Sequence, residues 1–317
     1  MSRTVLILAD QVARNNAALA EVLKPARESL PAQVLMVECS DLIDQQCSTK
    51  TDLVLRLSAL RHFAQELLRR KLTVDYHSIR PTGTPESCLD ALRTHIAAFS
   101  PEELLVMEPV SPSRAKTFQR ISMSIGIPTR MASNSMFVSD RKQIGAIPAG
   151  LDEHYRSLRT RLEILMENGR PLGGLWTPNV VSTSGSASLR QPEEPKFAPD
   201  EITTEVIRTV ENVFPGLRGS AERFDGPVTH AQANDLVDFF VQYGLLDASR
   251  YATITPLLEI GLLVPLHLVK KAETGFKTGK LSLVAAEGFI REVLGTREYL
   301  YLTGWFPGMG ETIGMAD

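Results

Sequence analysis

Three carboxylates each close an apolar run in the first half of the chain. Asp10 follows Val5-Leu6-Ile7-Leu8-Ala9, Glu38 follows Val34-Leu35-Met36-Val37, and Glu108 follows Leu104-Leu105-Val106-Met107. Short continuous apolar runs of this kind suit strands buried on both faces. A polar residue at the C-terminal end of such a strand stands where open α/β sheets bind their ligands. Carboxylates accept hydrogen bonds from both N–H and O–H donors, so three near one crevice can hold a polar ring system or a set of ribityl or ribose hydroxyls. The same residues can instead cap the next helix or bind loop amides. No G-x-G-x-x-G and no P-loop follows the first run, which argues against a phosphate-cradling dinucleotide site there.

The elements that must position these residues alternate regularly. The run Arg3–Gln11 reads as a first strand, and Asn15 to Glu28 as an Ala/Leu-rich helix. Gln33–Glu38 is a second strand. Thr51 to Lys71 carries Leu53, Leu57, Leu60, Phe63 and Leu67 at helical spacing, and its basic end suits a helix C-terminus. Leu72–Ile79 is a third strand. Thr84-Pro85-Glu86 has the order of a helix start, leading to Phe99. Glu103–Glu108 is a fourth strand, Pro112–Ile125 a helix stopped by Gly126, and Ile127–Met131 a fifth strand. This order predicts an α/β fold with a five-stranded, doubly wound parallel sheet and right-handed crossovers.

Composition sets the outer bounds. A chain of 317 residues with 43% hydrophobic and 22% charged residues predicts a globular protein of two domains. A formal net charge of -3 gives no reason to expect nucleic acid over the whole surface, though a local basic patch stays open. No apolar run approaches about 18 residues, so no membrane span is expected. The N-terminal run breaks at Asp10 and lacks a signal-peptide pattern, which predicts a cytoplasmic location. Cys39, Cys47 and Cys88 fit no zinc or haem spacing and read as reduced packing residues.

Leu151 to Asn168 reads as a charged helix, and the Ser- and Pro-rich stretch from Val180 to Pro199 as a linker. Helical patterns follow from Asp200 to Phe214, Ala233 to Tyr243, Pro265 to Lys271 and Leu281 to Leu302. The expected division is an α/β domain over 1–135, a connecting helix and linker over 136–199, and a partial all-α domain over 200–317. The last helix is apolar enough to sit centrally, and its covering partners are not in the sequence. The helical part therefore reads as incomplete, with a homo-oligomer as one way to cover its exposed face.

Five blocks in order carry a resemblance. They are Leu6-Ile7-Leu8-Ala9-Asp10-Gln11, Ser58-Ala59-Leu60-Arg61-His62-Phe63, Pro171-Leu172-Gly173-Gly174-Leu175-Trp176, Lys196-Phe197-Ala198-Pro199-Asp200 and Glu287-Gly288-Phe289-Ile290-Arg291-Glu292. Together they resemble the deoxyribodipyrimidine photolyase-related proteins, the bacterial iron–sulfur cryptochromes and (6-4) photolyases. The resemblance runs over nearly the whole chain. It implies an α/β antenna domain, a long linker and a helical domain holding FAD. In that family, light-excited reduced flavin passes an electron to a pyrimidine photoproduct in damaged DNA. The family antenna is a 6,7-dimethyl-8-ribityllumazine-type chromophore at the sheet's C-terminal edge. Asp10 and Glu38 match its acidic positions, and Gln11 is placed with them.

The stretch Ser249-Arg250-Tyr251-Ala252-Thr253-Ile254-Thr255-Pro256 resembles the family's flavin-phosphate segment. Thr253 and Thr255 are then expected to donate to phosphate, with Arg291 and Arg297 as nearby cations; ordinary capping and surface charge is the other reading of these four. The chain also departs from the family pattern. No cysteine follows Cys88, so these residues supply no four-cysteine iron–sulfur cluster. The family's His- and Lys-rich segment is Gln45-Gln46-Cys47-Ser48-Thr49-Lys50 here, and its tryptophan before Arg297-Glu298 is Thr296. The expected function is a photolyase-related flavoprotein of light-driven DNA repair, with no catalytic residue assigned. The alternative is a non-catalytic lumazine- or nucleotide-binding α/β module.

Overall fold

The computed structural model describes residues 2–23, 32–39, 47–82, 86–142, 149–176 and 192–305. Its first part alternates strand and helix: β1 (Arg3–Ile7), α1 (Ala17–Leu23), β2 (Ala32–Val37), α2 (Lys50–Arg69), β3 (Thr73–His77), α3 (Cys88–Phe99), β4 (Glu103–Met107), α4 (Pro112–Ile125) and β5 (Thr129–Ala132). The strands form one parallel sheet in the order β3-β2-β1-β4-β5. β1 is central, with Leu6 opposite both Leu35 of β2 and Val106 of β4. Val5, Leu6 and Ile7 have no exposed surface, which fits a strand covered by helices on both faces. Each such side chain contributes about 1.5–3 kcal/mol by burial.

Local chemistry sets the helix starts. Thr49 caps α2 by accepting from the Asp52 N–H at 3.2 Å, and the predicted stripe Leu53, Leu57, Leu60, Phe63 and Leu67 is buried. Helix α3 starts three residues later than the Thr84-Pro85-Glu86 signal suggested, because Ser87 takes the cap and accepts from the Asp90 N–H at 3.1 Å. Thr84 and Pro85 lie outside the described residues. Gly126 ends α4 in the left-handed region, as its position predicted.

The second part continues with α5 (Leu151–Leu162), a two-residue-per-strand hairpin of β6 (Met166–Glu167) and β7 (Arg170–Pro171), α6 (Glu201–Val213), α7 (His230–Gln242), α8 (Tyr251–Ile260), α9 (Pro265–Lys277), α10 (Leu283–Ile290), a π-helical segment over Arg291–Arg297, and α11 (Glu298–Gly304). The charged helix expected to reach Asn168 stops at Leu162. Glu163, Leu165 and Asn168 all take positive φ, and the chain turns into the hairpin instead. Helix α8 covers a stretch for which the sequence pattern predicts no helix, and Pro256 sits inside it. The single helix expected over Leu281–Leu302 passes through the π segment, which no residue pattern announced.

Two compact units emerge, and they do not follow one cut of the chain. The first comprises 1–136, 196–233 and 259–262; the second comprises 137–195, 234–258 and 263–317. Residues 200–233 were expected to open the helical domain and 196–199 to close the linker, yet both fall in the unit that holds the sheet. Helix α6, capped by Asp200, lies on α2, and the Lys50 ammonium meets Glu211. In the helical unit Arg159 is buried and donates to the carbonyls of Ile164, Leu165 and Trp176 at 3.2, 2.8 and 3.0 Å. It pins the hairpin, from within a helix that the sequence shows only as charged.

Candidate functional site at the sheet's topological switch

The strand order reverses between β1 and β4: the chain winds outward through β2 and β3, then returns to β4 and β5 on the other side. Crossovers leave opposite faces there, and the space beyond the strand C-termini is where doubly wound sheets bind ligands. Asp10 and Gln11 follow β1, and Glu108 follows β4. All three are buried.

Asp10 and Gln11 are each half satisfied. The Arg114 guanidinium, from the first turn of α4, pairs with Asp10 Oδ2. Asp10 Oδ1 is buried with no hydrogen-bond partner. Gln11 Nε2 donates to the Met107 carbonyl at 2.9 Å, and Gln11 Oε1 is likewise buried without a partner. A carbonyl only accepts, so this bond fixes which end of the amide is which. Two adjacent residues thus hold two spare acceptors at the switch point. Buried acceptors without partners are uncommon and each costs free energy. They fit a ligand that brings N–H or O–H donors.

The surroundings are strongly charged. Arg56 is buried, donates to Asp52 Oδ1 at 2.9 Å and reaches Glu259 at 3.5 Å. Burial alone would lower the pKa of its guanidinium; Asp52 outweighs that and raises it, with Asp10 contributing. The Cys47 thiol is pushed up to about 12, first by burial and then by the Asp52 charge. It is therefore an un-ionised packing group rather than a nucleophile. Gln45 and Gln46, beside it in sequence, lie outside the described residues.

Glu38 behaves differently. Its two oxygens accept from Arg61 Nε at 2.7 Å and Nη2 at 3.0 Å, from the Tyr76 hydroxyl at 2.7 Å and from the Ile79 N–H at 2.7 Å. Burial and then the Glu38 charge drive the Tyr76 phenol well above its ordinary range. Burial opposes the Arg61 charge, and the Glu38 bonds overcome it, raising that pKa. With four donors in place, Glu38 is a structural anchor, and it has no spare acceptor of the kind that Asp10 keeps.

The residues expected at a flavin phosphate lie in the helical unit. Thr253 is exposed on α8, and Thr255 spends its hydroxyl on the Tyr251 carbonyl at 2.7 Å. Arg291 pairs with Asp152 and lies 5.4 Å from the Tyr155 ring. Arg297 stacks 3.9 Å over Phe137, reaches Glu298 at 3.4 Å and donates to the Leu258 carbonyl at 3.5 Å. Thr255, Arg291 and Arg297 are engaged with separate partners and Thr253 stands exposed, so the four as placed do not fit a phosphate site.

Sequence reasoning missed Arg114, Arg61 and Tyr76. Arg114 was findable, since the first turn after the strand beyond a switch point supplies side chains to it. Arg61 stands inside the quoted block Ser58–Phe63, but nothing local shows that it reaches β2.

Fold and switch-point geometry define a doubly wound α/β unit with a ligand-type edge, joined in sequence to a helical unit. The family model of the deoxyribodipyrimidine photo-lyase-related proteins matches residues 5–225, and the chain belongs to that family. It is similar to a (6-4) photolyase of Agrobacterium fabrum (strain C58 / ATCC 33970), with 30% identity over 97% of this chain and 64% of that protein. A bacterial class III photolyase from Agrobacterium tumefaciens shares the fold, with a TM-score of 0.58 and 14% identity over 95% of this chain and 58% of that one. The chain thus spans about three-fifths of the length of these relatives. Among the described residues, no helix is long and apolar enough to cross a membrane, and no group of His, Cys, Asp and Glu is arranged to hold a metal ion.

Proposed function

We propose that the α/β unit binds a lumazine-type antenna chromophore at the switch point, with Asp10 Oδ1 and Gln11 Oε1 accepting from its donor groups. The observation that carries this reading is the pair of buried acceptors that have no partner among the described residues. A 6,7-dimethyl-8-ribityllumazine offers both a ring N–H and ribityl hydroxyls to such a pair. Arg114 holds the other Asp10 oxygen and so sets which one faces the ligand. Bound there, the chromophore would supply light absorption; the protein supplies position and shelter from water.

Family membership supports a wider role in flavin-dependent, light-driven repair of a photoproduct in DNA, in the cytoplasm. No step is assigned through FAD, because the residues expected at its phosphates do not fit. This favours the second reading, a non-catalytic chromophore-binding module, as the one the geometry carries.

Titration of the purified protein with 6,7-dimethyl-8-ribityllumazine, followed by quenching of its fluorescence, tests the first reading. Asp10→Ala should weaken binding at least about tenfold, since a buried charge-assisted hydrogen bond is worth roughly 1.5–3 kcal/mol. Unchanged affinity would remove the site. Loss of lesions from a damaged oligonucleotide under blue light, with FAD added, decides between the wider role and the module.

A further inference from the structure

A cavity of about 300 Å³ opens at the free edge of the sheet, within the first unit and away from Asp10. Its floor is apolar: Ala64 and Leu68 come from one face of α2, Val74 and the Tyr76 ring from one face of β3, and Ile202 from α6. Residues two apart on a strand and four apart on a helix share a face, so three elements converge on the hollow. Leu68 is 46% exposed and lies one turn beyond the buried Ala64. Its exposure is accounted for by the cavity mouth.

The polar rim has a definite charge. Arg61 is held on two sides, by Glu38 as described and by Glu205 through Nη1 at 3.3 Å. One guanidinium between two carboxylates leaves a single negative charge in excess. The excess resides at Glu205, whose side chain is 54% exposed, because Glu38 has no exposed side-chain surface. Gln65 and Ser78 complete the rim.

We infer that this cavity is a second binding site, for a single planar aromatic or heteroaromatic ring bearing a cationic or amino edge. The volume is at the lower end for small-molecule sites and admits one ring system. The floor takes the ring face by apolar burial, and Glu205 at the rim accepts from the N–H edge. An anionic ring of the same shape meets the excess negative charge and is disfavoured. Arg61 is a positioning residue: its fork on Glu38 holds the Tyr76 wall and the Glu205 rim in one geometry. The site shares none of its lining with Asp10 and Gln11, so it stands or falls independently of the chromophore reading.

Benzamidine and benzoate, matched in shape and opposite in charge, test the inference by saturation-transfer NMR and calorimetric titration on the full chain. Benzamidine is expected to bind at least about tenfold more tightly than benzoate, given one rim carboxylate at contact distance. Glu205→Gln should bring the two probes to within about threefold of each other. Leu68→Arg, a change at an exposed position, should abolish benzamidine binding, while Asp10→Ala should leave it unchanged. Absence of benzamidine binding, equal binding of the two probes to the unaltered protein, or benzamidine affinity indifferent to both Glu205→Gln and Leu68→Arg would each overturn the assignment.

Discussion

Two sets of buried polar groups, one in each compact unit, are matched differently. In the α/β unit, Asp10 and Gln11 each leave an oxygen unmatched at the strand ends. In the helical unit, the buried Glu298 is met by the N–H groups of Val138 at 3.0 Å and Ser139 at 2.8 Å, with Arg297 beside it. Arg159 spends its guanidinium on three carbonyls, and the Tyr155 hydroxyl donates to Glu287 at 3.0 Å. One unit keeps spare acceptors at the place where its topology puts a ligand; these helical-unit groups use their polarity to hold the chain. Spare hydrogen-bonding capacity, rather than the presence of a carboxylate, is what separates Asp10 from Glu38. Glu38 obeys the same rule from within the α/β unit: fully matched, it is a strut.

The largest expected effect tests that contrast directly. Arg61→Ala strips a buried carboxylate of its paired cation and should cost about 3–5 kcal/mol. Glu298→Gln keeps an acceptor for the backbone N–H groups and removes a charge that burial disfavours, since burial raises the Glu298 pKa. It should cost about 1–2 kcal/mol, less than Arg61→Ala, because Arg297 loses a paired charge but keeps the Phe137 ring face and the Leu258 carbonyl. Chemical denaturation of both variants measures the difference. Equal losses would mean that the two carboxylates are not held by different means.

A second test uses one buried histidine from each unit. His154 in the helical unit is lowered to about 4, by burial first and then by Arg161. His230 in the α/β unit is also lowered to about 4, by burial first and then by Arg14. Between the unfolded value of 6.5 and about 4, the unfolded chain binds the proton and the folded one does not. Each histidine's contribution is therefore whole above pH 6.5 and is lost as pH falls toward 4. The loss per histidine is at most about 3 kcal/mol. Denaturation midpoints at falling pH should drop for the unaltered protein and drop less for His154→Phe and for His230→Phe. If only one substitution flattens the profile, the other histidine titrates as it does in the unfolded chain.

The alternation of strands and helices was readable because apolar runs and amphipathic stripes are local properties, and α2 and β1 show both plainly. Carboxylates at strand ends were readable for the same reason. What those carboxylates do was not. Glu38 and Asp10 have the same sequence setting, an apolar run followed by an acid. Only the long-range partner separates them, 23 residues away for Glu38 and 104 for Asp10. Thr255 places its hydroxyl on the Tyr251 carbonyl within its own helix, a helix that contains Pro256 and shows no clear helical pattern in the sequence. The place of α6 with the sheet was obscured by the linker composition before it, which suggested a domain boundary where contacts with α2 decide otherwise.

The smallest expected effect concerns two glycines. Gly261 has φ of +90°, and a Cβ there would lie 2.8 Å from both the Cβ and the backbone nitrogen of Ala13. Gly173 in the helical unit has φ of +75°, and its added Cβ would meet only Leu283 Cδ2, also at 2.8 Å. Both substitutions impose a left-handed backbone on an L side chain, at about 1 kcal/mol. The difference lies in what must yield. A leucine methyl can rotate away, whereas Ala13 N is main chain, in a loop anchored by the Val12 N–H on the Ile260 carbonyl at 2.9 Å. Gly261→Ala should therefore cost about 2–3 kcal/mol and Gly173→Ala about 1 kcal/mol. Because Val12 directly follows Gln11, Gly261→Ala should also weaken lumazine binding, while Gly173→Ala leaves it unchanged. Thermal denaturation and the fluorescence titration, run on both variants, measure the two consequences separately. A Gly261→Ala protein that loses stability but binds lumazine normally would show that the spare acceptors keep their positions without the loop behind them.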